Sequence, residues 1–163
     1  MSSSTLVLTT NLTGQSYKDL QSAARQWNRA LGKPAVKIKQ GPVSSSTTTM
    51  DGINSIKTGE LESNKLGLTE IHTKTTTDPK KGTSSKSEVD IVIKPVNDRD
   101  IFKATALHEI GHALGAGHIN NSDAIMNASL EIGGNSTPPT KLTSADIKAV
   151  KNARKGNNID YSA

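Results

Sequence analysis

The sequence predicts one α+β domain in which a mostly parallel β-sheet packs against long helices. A chain of 163 residues suits a single domain with a substantial core. A strand pattern at 6–10, a helix pattern ending near residue 31 and a strand pattern at 36–39 follow one another, an order typical of parallel strands joined by a crossover helix. Later, an alternating strand at 88–94 precedes a long helical pattern from about residue 101. These two observations predict the fold class.

The first helix is predicted over residues 16–31. Ser16 and Asp19 have the spacing of a capping box, and Gly32 follows as the stop. Trp27 belongs to an apolar face at helical spacing and is therefore expected in the core, not at a binding surface. The residues of this face are Leu20, Ala23, Ala24, Trp27 and Leu31.

The middle of the chain is predicted to supply two further strands, at 53–56 and 66–75. Residues 43–50 have low complexity, and their pattern fits either an exposed strand or a mobile loop. Residues 76–87 contain mostly threonine, serine, lysine and glycine, with an Asp-Pro pair, so we expect a flexible loop.

The last third of the chain is predicted to contain two helices. Asp98 or Asp100 caps the first, whose apolar stripe lies against the sheet: Ile101, Ala104, Leu107, Ile110, Ala113 and Leu114. A loop follows at 127–141. A capping box at Thr143 and Asp146 then opens a final helix to about residue 154, and the polar residues 155–163 are expected to fray.

The most informative stretch is 108–118, which reads His-Glu-Ile-Gly-His-Ala-Leu-Gly-Ala-Gly-His. His108 and His112 are four residues apart, so on a helix they project from the same face and can bind one metal ion. Glu109 can lean toward the same site, where a carboxylate can take a proton from a metal-bound water. The pattern predicts a catalytic metal site.

A third ligand follows the helix. Glycine accepts the left-handed backbone conformation, so Gly115 is expected to end the helix and to turn the chain back. His118 would then be the third nitrogen ligand. Three protein ligands leave a fourth position open, which is typical of catalytic and not of structural zinc sites.

The motif His108-Glu109-x-x-His112-x-x-Gly115-x-x-His118 resembles the signature of the metzincin clan of zinc endopeptidases. Residues 122–127, Ser-Asp-Ala-Ile-Met-Asn, resemble the methionine turn of that clan. Their spacing from the third histidine is similar to that of the matrixins, the matrix-metalloprotease family with bacterial members. The resemblance is specific over about 104–150.

This resemblance implies an α/β/α-like catalytic domain. It contains a twisted, mostly parallel five-stranded sheet with an antiparallel edge strand, two long helices and a C-terminal helix. The whole chain, 1–163, would be one such domain, with an upper subdomain at about 1–118 and a lower subdomain at about 119–163.

The resemblance also implies roles for further residues. Met126 would lie beneath the metal as an apolar floor and would not bind it. The strand that begins near Leu66 would be the edge strand above the cleft, where an extended peptide adds by main-chain hydrogen bonds. Its candidate substrate-binding residues are Leu68, Thr69 and Glu70.

The function implied is zinc-dependent endopeptidase activity, with a zinc-bound water attacking an internal peptide bond and Glu109 as general base. Two alternatives stay open: a zinc-binding module without hydrolytic activity, and a narrow peptidase restricted to one partner or to short peptides. Glu109 argues against the module, because binding alone needs no base beside the metal.

We expect one zinc ion as the cofactor, and neither calcium nor a second zinc. The lysine-rich segment at 76–87 opposes a hard cation. His72 has no suitably spaced partner ligands in the sequence and is interpreted as a surface histidine. The chain has no cysteine, which excludes disulfides and thiolate metal sites.

The partner we expect is a protein or peptide substrate, bound by a monomer. The net charge is +5, with a local cluster at Lys80, Lys81 and Lys86, which is interpreted as a solvated surface. No aromatic residues interleave with the lysines, so nucleic acid is not expected. There is no apolar run of about 20 residues for a membrane span. Metzincins are usually secreted, so we expect an extracellular mature domain, although residues 1–5 do not resemble a signal peptide.

Overall fold

The chain forms a five-stranded sheet with three α-helices in a computed structural model that describes residues 5–44, 50–62, 64–130 and 138–156. The elements follow in the order β1 (Leu6–Thr10), α1 (Gly14–Leu31), β2 (Val36–Gln40), β3 (Ser55–Thr58), β4 (Gly67–Asp78), β5 (Gly82–Ile93), α2 (Arg99–Ala113), a 3₁₀ turn (Ala128–Leu130) and α3 (Ser144–Gly156).

The strand order across the sheet is β2-β1-β3-β5-β4. The pairs β1–β2, β1–β3 and β3–β5 are parallel, whereas β4 pairs antiparallel with β5 at the edge. This arrangement confirms the predicted α+β fold with a mostly parallel sheet and an antiparallel edge strand. Among the described strands, β4 pairs only with β5, so its other edge has no strand partner there.

The core lies between the sheet and the two long helices, which also pack against each other. Trp27 is fully buried, and its indole N–H donates a hydrogen bond to the carbonyl oxygen of Leu107 at 3.0 Å. The bond ties α1 to α2 and confirms that Trp27 is a core residue. Other fully buried side chains are Leu6, Leu8, Leu20, Ile56, Ile91, Ile93, Leu107 and Ile110.

The start of α1 differs from the prediction. The helix begins at Gly14 after Thr13, whose side chain makes no capping bond, so the predicted box at Ser16 and Asp19 is wrong. Asp19 is buried and instead accepts hydrogen bonds from Gln15 and from Arg99 at the start of α2, each at 2.9 Å. Burial alone would raise the pKa of Asp19, but these hydrogen bonds outweigh it and lower the pKa.

The predicted flexible loop at 76–87 is also wrong. β4 and β5 continue as a two-stranded hairpin that turns at residues 79–81. Backbone pairing and cross-strand hydroxyl pairs replace apolar packing there: Thr73–Ser87 at 3.1 Å, Thr75–Ser85 at 3.1 Å and Thr77–Thr83 at 3.4 Å. We call residues 73–87 the arm. Its side chains are exposed except those of Asp78 and Ser87, which are half-buried.

Other element boundaries agree with the sequence to within a few residues. The third strand lies two residues later than predicted, at Ser55–Thr58. Asp98 is the cap of α2, since its carboxylate accepts from the backbone N–H groups of Asp100 and Ile101. The Thr143–Asp146 capping box is confirmed.

Three predicted features fall partly outside the described residues: the low-complexity segment (45–49), the loop after the metal-site turn (131–137) and the C-terminal residues (157–163). In the part of the chain that the structure describes, no helix has the length and apolar character needed to cross a membrane.

Candidate metal centre

Helix α2 and the turn after it bring three histidines together. The side chain of His108 is fully buried, that of His112 is half-buried and that of His118 is exposed, so the group opens from the core toward solvent. Within the described residues, this is the one group of at least three His, Cys, Asp or Glu side chains whose ligand atoms converge. The structure thus brings together all three predicted metal ligands.

The spacing of the ring nitrogens fits one zinc ion. Nε2 of His112 lies 3.1 Å from Nε2 of His108 and 3.2 Å from Nε2 of His118. Tetrahedral ligands at the usual zinc–nitrogen distance are about 3.3 Å apart. The residues present therefore match the geometry and the chemistry of a three-histidine zinc site.

Backbone carbonyl groups orient two of the rings. Nδ1 of His108 lies 2.6 Å from the carbonyl oxygen of Ile125, and Nδ1 of His112 lies 2.8 Å from that of Ala116. A carbonyl oxygen can only accept, so each Nδ1 carries the proton and each Nε2 would have its lone pair available to a metal ion. Sequence patterns give no signal for these contacts, because any residue supplies a carbonyl group.

The turn that returns His118 to the site begins where predicted. Helix α2 ends at Ala113, and Gly115 has a positive φ of 108°. Glycine takes this conformation without strain. The backbone N–H of Ala116 bonds to the carbonyl oxygen of Gly111 at 3.0 Å, which closes the helix end.

Met126 lies against the helix that carries the first two histidines, and it is fully buried. A Cβ atom on Gly111 would lie 2.4 Å from the sulfur of Met126, so only glycine permits this close approach. The buried carboxylate of Asp146 accepts from the backbone N–H groups of Ile125 and Met126, at 3.0 and 2.9 Å. The sequence indicated Asp146 only as a helix cap, yet it also holds the chain beneath the histidines.

Glu109 is fully buried beside the histidines, with Oε2 3.9 Å from Nε2 of His108. The hydroxyl of Thr69 on β4 donates a hydrogen bond to Oε1 of Glu109 at 2.6 Å. A Cβ atom on Gly67 would lie 2.7 Å from Oε2, so glycine is needed for β4 to come this near. The edge strand therefore positions the candidate base directly.

The three predicted substrate-binding residues differ in where their side chains lie. Thr69 points toward Glu109. Leu68 and Glu70 point to the opposite face, because side chains alternate along a strand. Leu68 there shares a cavity lining with Lys57 and Val92.

His72 lies outside the three-histidine group. Its Nε2 is 3.3 Å from a carboxylate oxygen of Glu70 and 3.9 Å from one of Asp90. Glu70 lies two residues before His72 on β4, and Asp90 lies on the neighbouring strand β5. The sequence pattern connects neither residue with His72.

Comparison with known proteins agrees with this geometry. Residues 48–153, more than half of the chain, match the peptidase family M10, Matrixin. The comparison with curated protein sequences gives no match.

Two solved structures are similar to the chain. Archaemetzincin from Methanopyrus kandleri superposes with a TM-score of 0.57 and 12% identity, covering 94% of this chain and 96% of that one. A zinc-dependent peptidase from Methanocorpusculum labreanum gives a TM-score of 0.47 and 12% identity, covering 89% and 99%. At 12% identity, the likeness to archaemetzincin concerns the fold alone. The family match, together with the three-histidine site, shows that the chain belongs to the matrixin family and is a metzincin-clan zinc metallopeptidase.

Proposed function

We propose that this metallopeptidase is an endopeptidase, which hydrolyses internal peptide bonds of proteins or peptides with Glu109 as general base. The observation that carries the proposal is the placement of a buried carboxylate, held by a hydroxyl donor, beside three converging imidazoles. A metal-binding module has no need for such a carboxylate.

His108, His112 and His118 would hold one zinc ion, which when bound supplies Lewis acidity that activates water and polarises the substrate carbonyl group. Glu109 takes the proton from the attacking water and passes it to the nitrogen of the leaving amine. The hydrogen bond from Thr69 holds Oε1 of Glu109 and so fixes the carboxylate beside the three histidines.

The free edge of β4 is the proposed binding site for the substrate backbone. Among the described strands, β4 pairs only with β5, so its other edge offers backbone N–H and C=O groups to an extended peptide. Thr69 places this edge directly beside Glu109. Main-chain hydrogen bonds accept any sequence, so the side-chain preference depends on the surrounding surfaces.

The direct test is digestion of a diverse peptide library by zinc-loaded protein, read by mass spectrometry. Metal-stripped protein is the first control, and the same sample after zinc is restored is the second. Internal cleavages that disappear and return with zinc support the proposal. Release of single terminal residues only, or no cleavage by protein with zinc bound, would contradict it.

The two alternatives give distinct results in the same assay. A binding module would bind zinc and cleave nothing. A narrow peptidase would cut short peptides or one protein and leave a panel of unfolded proteins intact. Comparing unfolded casein with the peptide library distinguishes a narrow enzyme from a general one.

We further propose that the enzyme acts outside the cell as a monomer with a single zinc ion. The resemblance to secreted metzincins supports the location. Detection of the protein in the culture medium of its host, a mass in solution near 17.2 kDa and a zinc stoichiometry of one would support these points. Two zinc ions per chain would contradict the last.

A further inference from the structure

The arm continues the proposed substrate edge away from the metal centre. β4 runs from Gly67, which lies against Glu109, to Asp78 at the tip of the hairpin. At about 3.3 Å per residue, the tip lies roughly 30 Å from Thr69. A peptide strand paired with β4 advances at the same rate, so its distant residues would run along the arm.

The arm is strongly basic. Residues 73–87 contain four lysines and one acidic residue, a net charge of +3 in a chain whose net charge is +5. The carboxylate of Asp78 accepts from the backbone N–H groups of Lys80 and Lys81 in the turn, so it serves the turn. Across the described residues, none of the four lysines takes part in an ion pair with an acidic side chain.

Two of these lysines repel each other. Lys74 and Lys86 are directly opposite in the register of β4 and β5, and both are exposed. Like charges at opposed positions destabilise a β-ribbon. An anionic group bound between them would remove that cost. The rest of the arm carries only hydroxyl side chains, glycine and one proline, so its surface suits a charged partner and not an apolar one.

We propose that the arm binds an acidic segment of the substrate, at about five to nine residues from the scissile bond and on one side of it. This inference rests on the proposed endopeptidase function. In a peptide aligned on β4, carboxylate side chains nearer the scissile bond would reach Lys74 and Lys86. Those farther along would reach Lys80 and Lys81 at the tip of the hairpin. The enzyme therefore selects proteins whose cleavable segment has an acidic neighbouring stretch.

The first experiment measures binding without cleavage. Fluorescein-labelled octaglutamate is titrated at low salt into zinc-loaded Glu109→Ala protein, which serves as the reference. The same titration is made with two arm variants of that protein. One carries Lys74→Ser with Lys86→Ser, and the other carries Lys80→Ser with Lys81→Ser. Each pair is expected to weaken binding about five- to tenfold. The matched control is Lys33→Ser with Lys151→Ser, which removes the same charge from exposed sites on the α1–α3 side and is expected to change binding less than twofold.

Equal weakening by the control pair, or no weakening by the arm pairs, would overturn the proposal. Binding of a labelled single-stranded DNA of equal charge is measured in the same way, as the alternative ligand. If the arm variants lose DNA binding but keep octaglutamate binding, the arm belongs to nucleic acid and the proposal is wrong.

The second experiment measures turnover. A cleavable peptide core is extended on either side by four glutamates or four serines, placed five to eight residues from the scissile bond. Glutamates on one side are expected to raise kcat/KM about tenfold, and the arm variants are expected to lose that gain while cutting the serine peptide normally. A gain on both sides, or a gain kept by the arm variants, contradicts the proposal. If no core is cleaved at all, the endopeptidase function fails, and the binding experiment still decides whether the arm takes acidic peptides.

Discussion

The two ends of the β4–β5 hairpin share backbone geometry but differ in what stabilises them. At the rung that joins Thr69 to Ile91, Ile91 is fully buried and Thr69 contacts Glu109. Six residues further along, Thr75 and Ser85 are both exposed, and their hydroxyl groups contact each other. One end depends on burial and contacts Glu109 beside the three histidines, whereas the other depends on backbone pairing and offers a charged surface.

One continuous hairpin can therefore combine a rigid site with a solvated surface for recognition. The buried end fixes the position of the Glu109 carboxylate by a hydrogen bond, and the proposed general-base role needs such a fixed position. The exposed end needs no such precision, since charge attraction acts over several ångströms. The two ends should therefore be separable in stability and in function.

Substitutions of the histidines at the two ends should give the largest difference in zinc content and turnover. His118 belongs to the three-histidine group, whereas His72 lies next to the arm. We expect His118→Ala to lower zinc content after dialysis and to reduce peptide turnover at least about 100-fold, since it removes one of three ligands. His72→Ala should keep both within about twofold. Full zinc content and full turnover in His118→Ala would show that the group is not the metal site.

Truncating a side chain should cost more unfolding free energy at the buried end of the hairpin than at the exposed end. Ile91→Ala removes a fully buried side chain and is expected to cost about 2–5 kcal/mol of unfolding free energy. Thr75→Ala removes an exposed hydroxyl and should cost less than about 1 kcal/mol. Urea titration of both variants measures the two costs. Equal losses would mean that the arm packs against part of the protein in solution.

Glu88 marks the junction of the two ends and should make stability depend on pH. It is fully buried, and burial, followed by a hydrogen bond shared with Asp90, raises its pKa to about 7. The unfolded value is about 4.3, so the folded state binds more protons between these pH values. Stability from this group is therefore highest below about pH 4.3 and falls as pH rises to about 7 and slightly beyond.

The corresponding variant is Glu88→Gln, which keeps an acceptor for the backbone N–H groups of Asp51 and Gly52 and a donor for Asp90. We expect it to gain stability over wild type, on the order of 2 kcal/mol, between pH 5 and pH 8. Thermal unfolding across that range measures the gain. Glu60→Gln, at an exposed position, is the control and should follow the wild-type curve. Parallel curves for wild type and Glu88→Gln would contradict the assignment.

Substituting the threonines at the two ends should affect peptide cleavage differently. Thr69→Val keeps the shape of the side chain but removes the donor to Glu109, so we expect kcat to fall about tenfold with KM and zinc content unchanged. Thr69→Ser should restore most of kcat. Thr73→Val, on the same face of β4 in the arm, should leave the cleavage of neutral peptides unchanged. Loss of zinc in Thr69→Val would indicate a structural role instead.

The sequence was sufficient for the parts of the molecule that follow a repeating physical rule. Burial on one face produced the helical and strand periodicities of Trp27 and Ile91, and metal binding required the spacing of His108, His112 and His118. The glycine at 115 was predictable for the same reason, since the chain must turn sharply to return the third ligand.

Features that depend on contacts between distant residues were not predictable. Asp19 and Ser16 matched a local capping pattern, but Asp19 is used for a long-range bond to Arg99. Residues 76–87 of the arm are predicted as a loop, because polar residues give no periodic burial signal. The bond from Thr69 to Glu109 joins positions 40 residues apart, and no local pattern links them.

The most direct test of the account compares wild type with Glu109→Ala in the same two measurements, bound zinc and turnover of a cleaved peptide. Glu109 is buried beside the three histidines but is not one of the proposed zinc ligands, so the variant should bind one zinc ion per chain and lose turnover by at least about 1000-fold. A zinc-loaded Glu109→Ala protein that still cleaves the peptide near the wild-type rate would contradict the assignment of Glu109 as the general base.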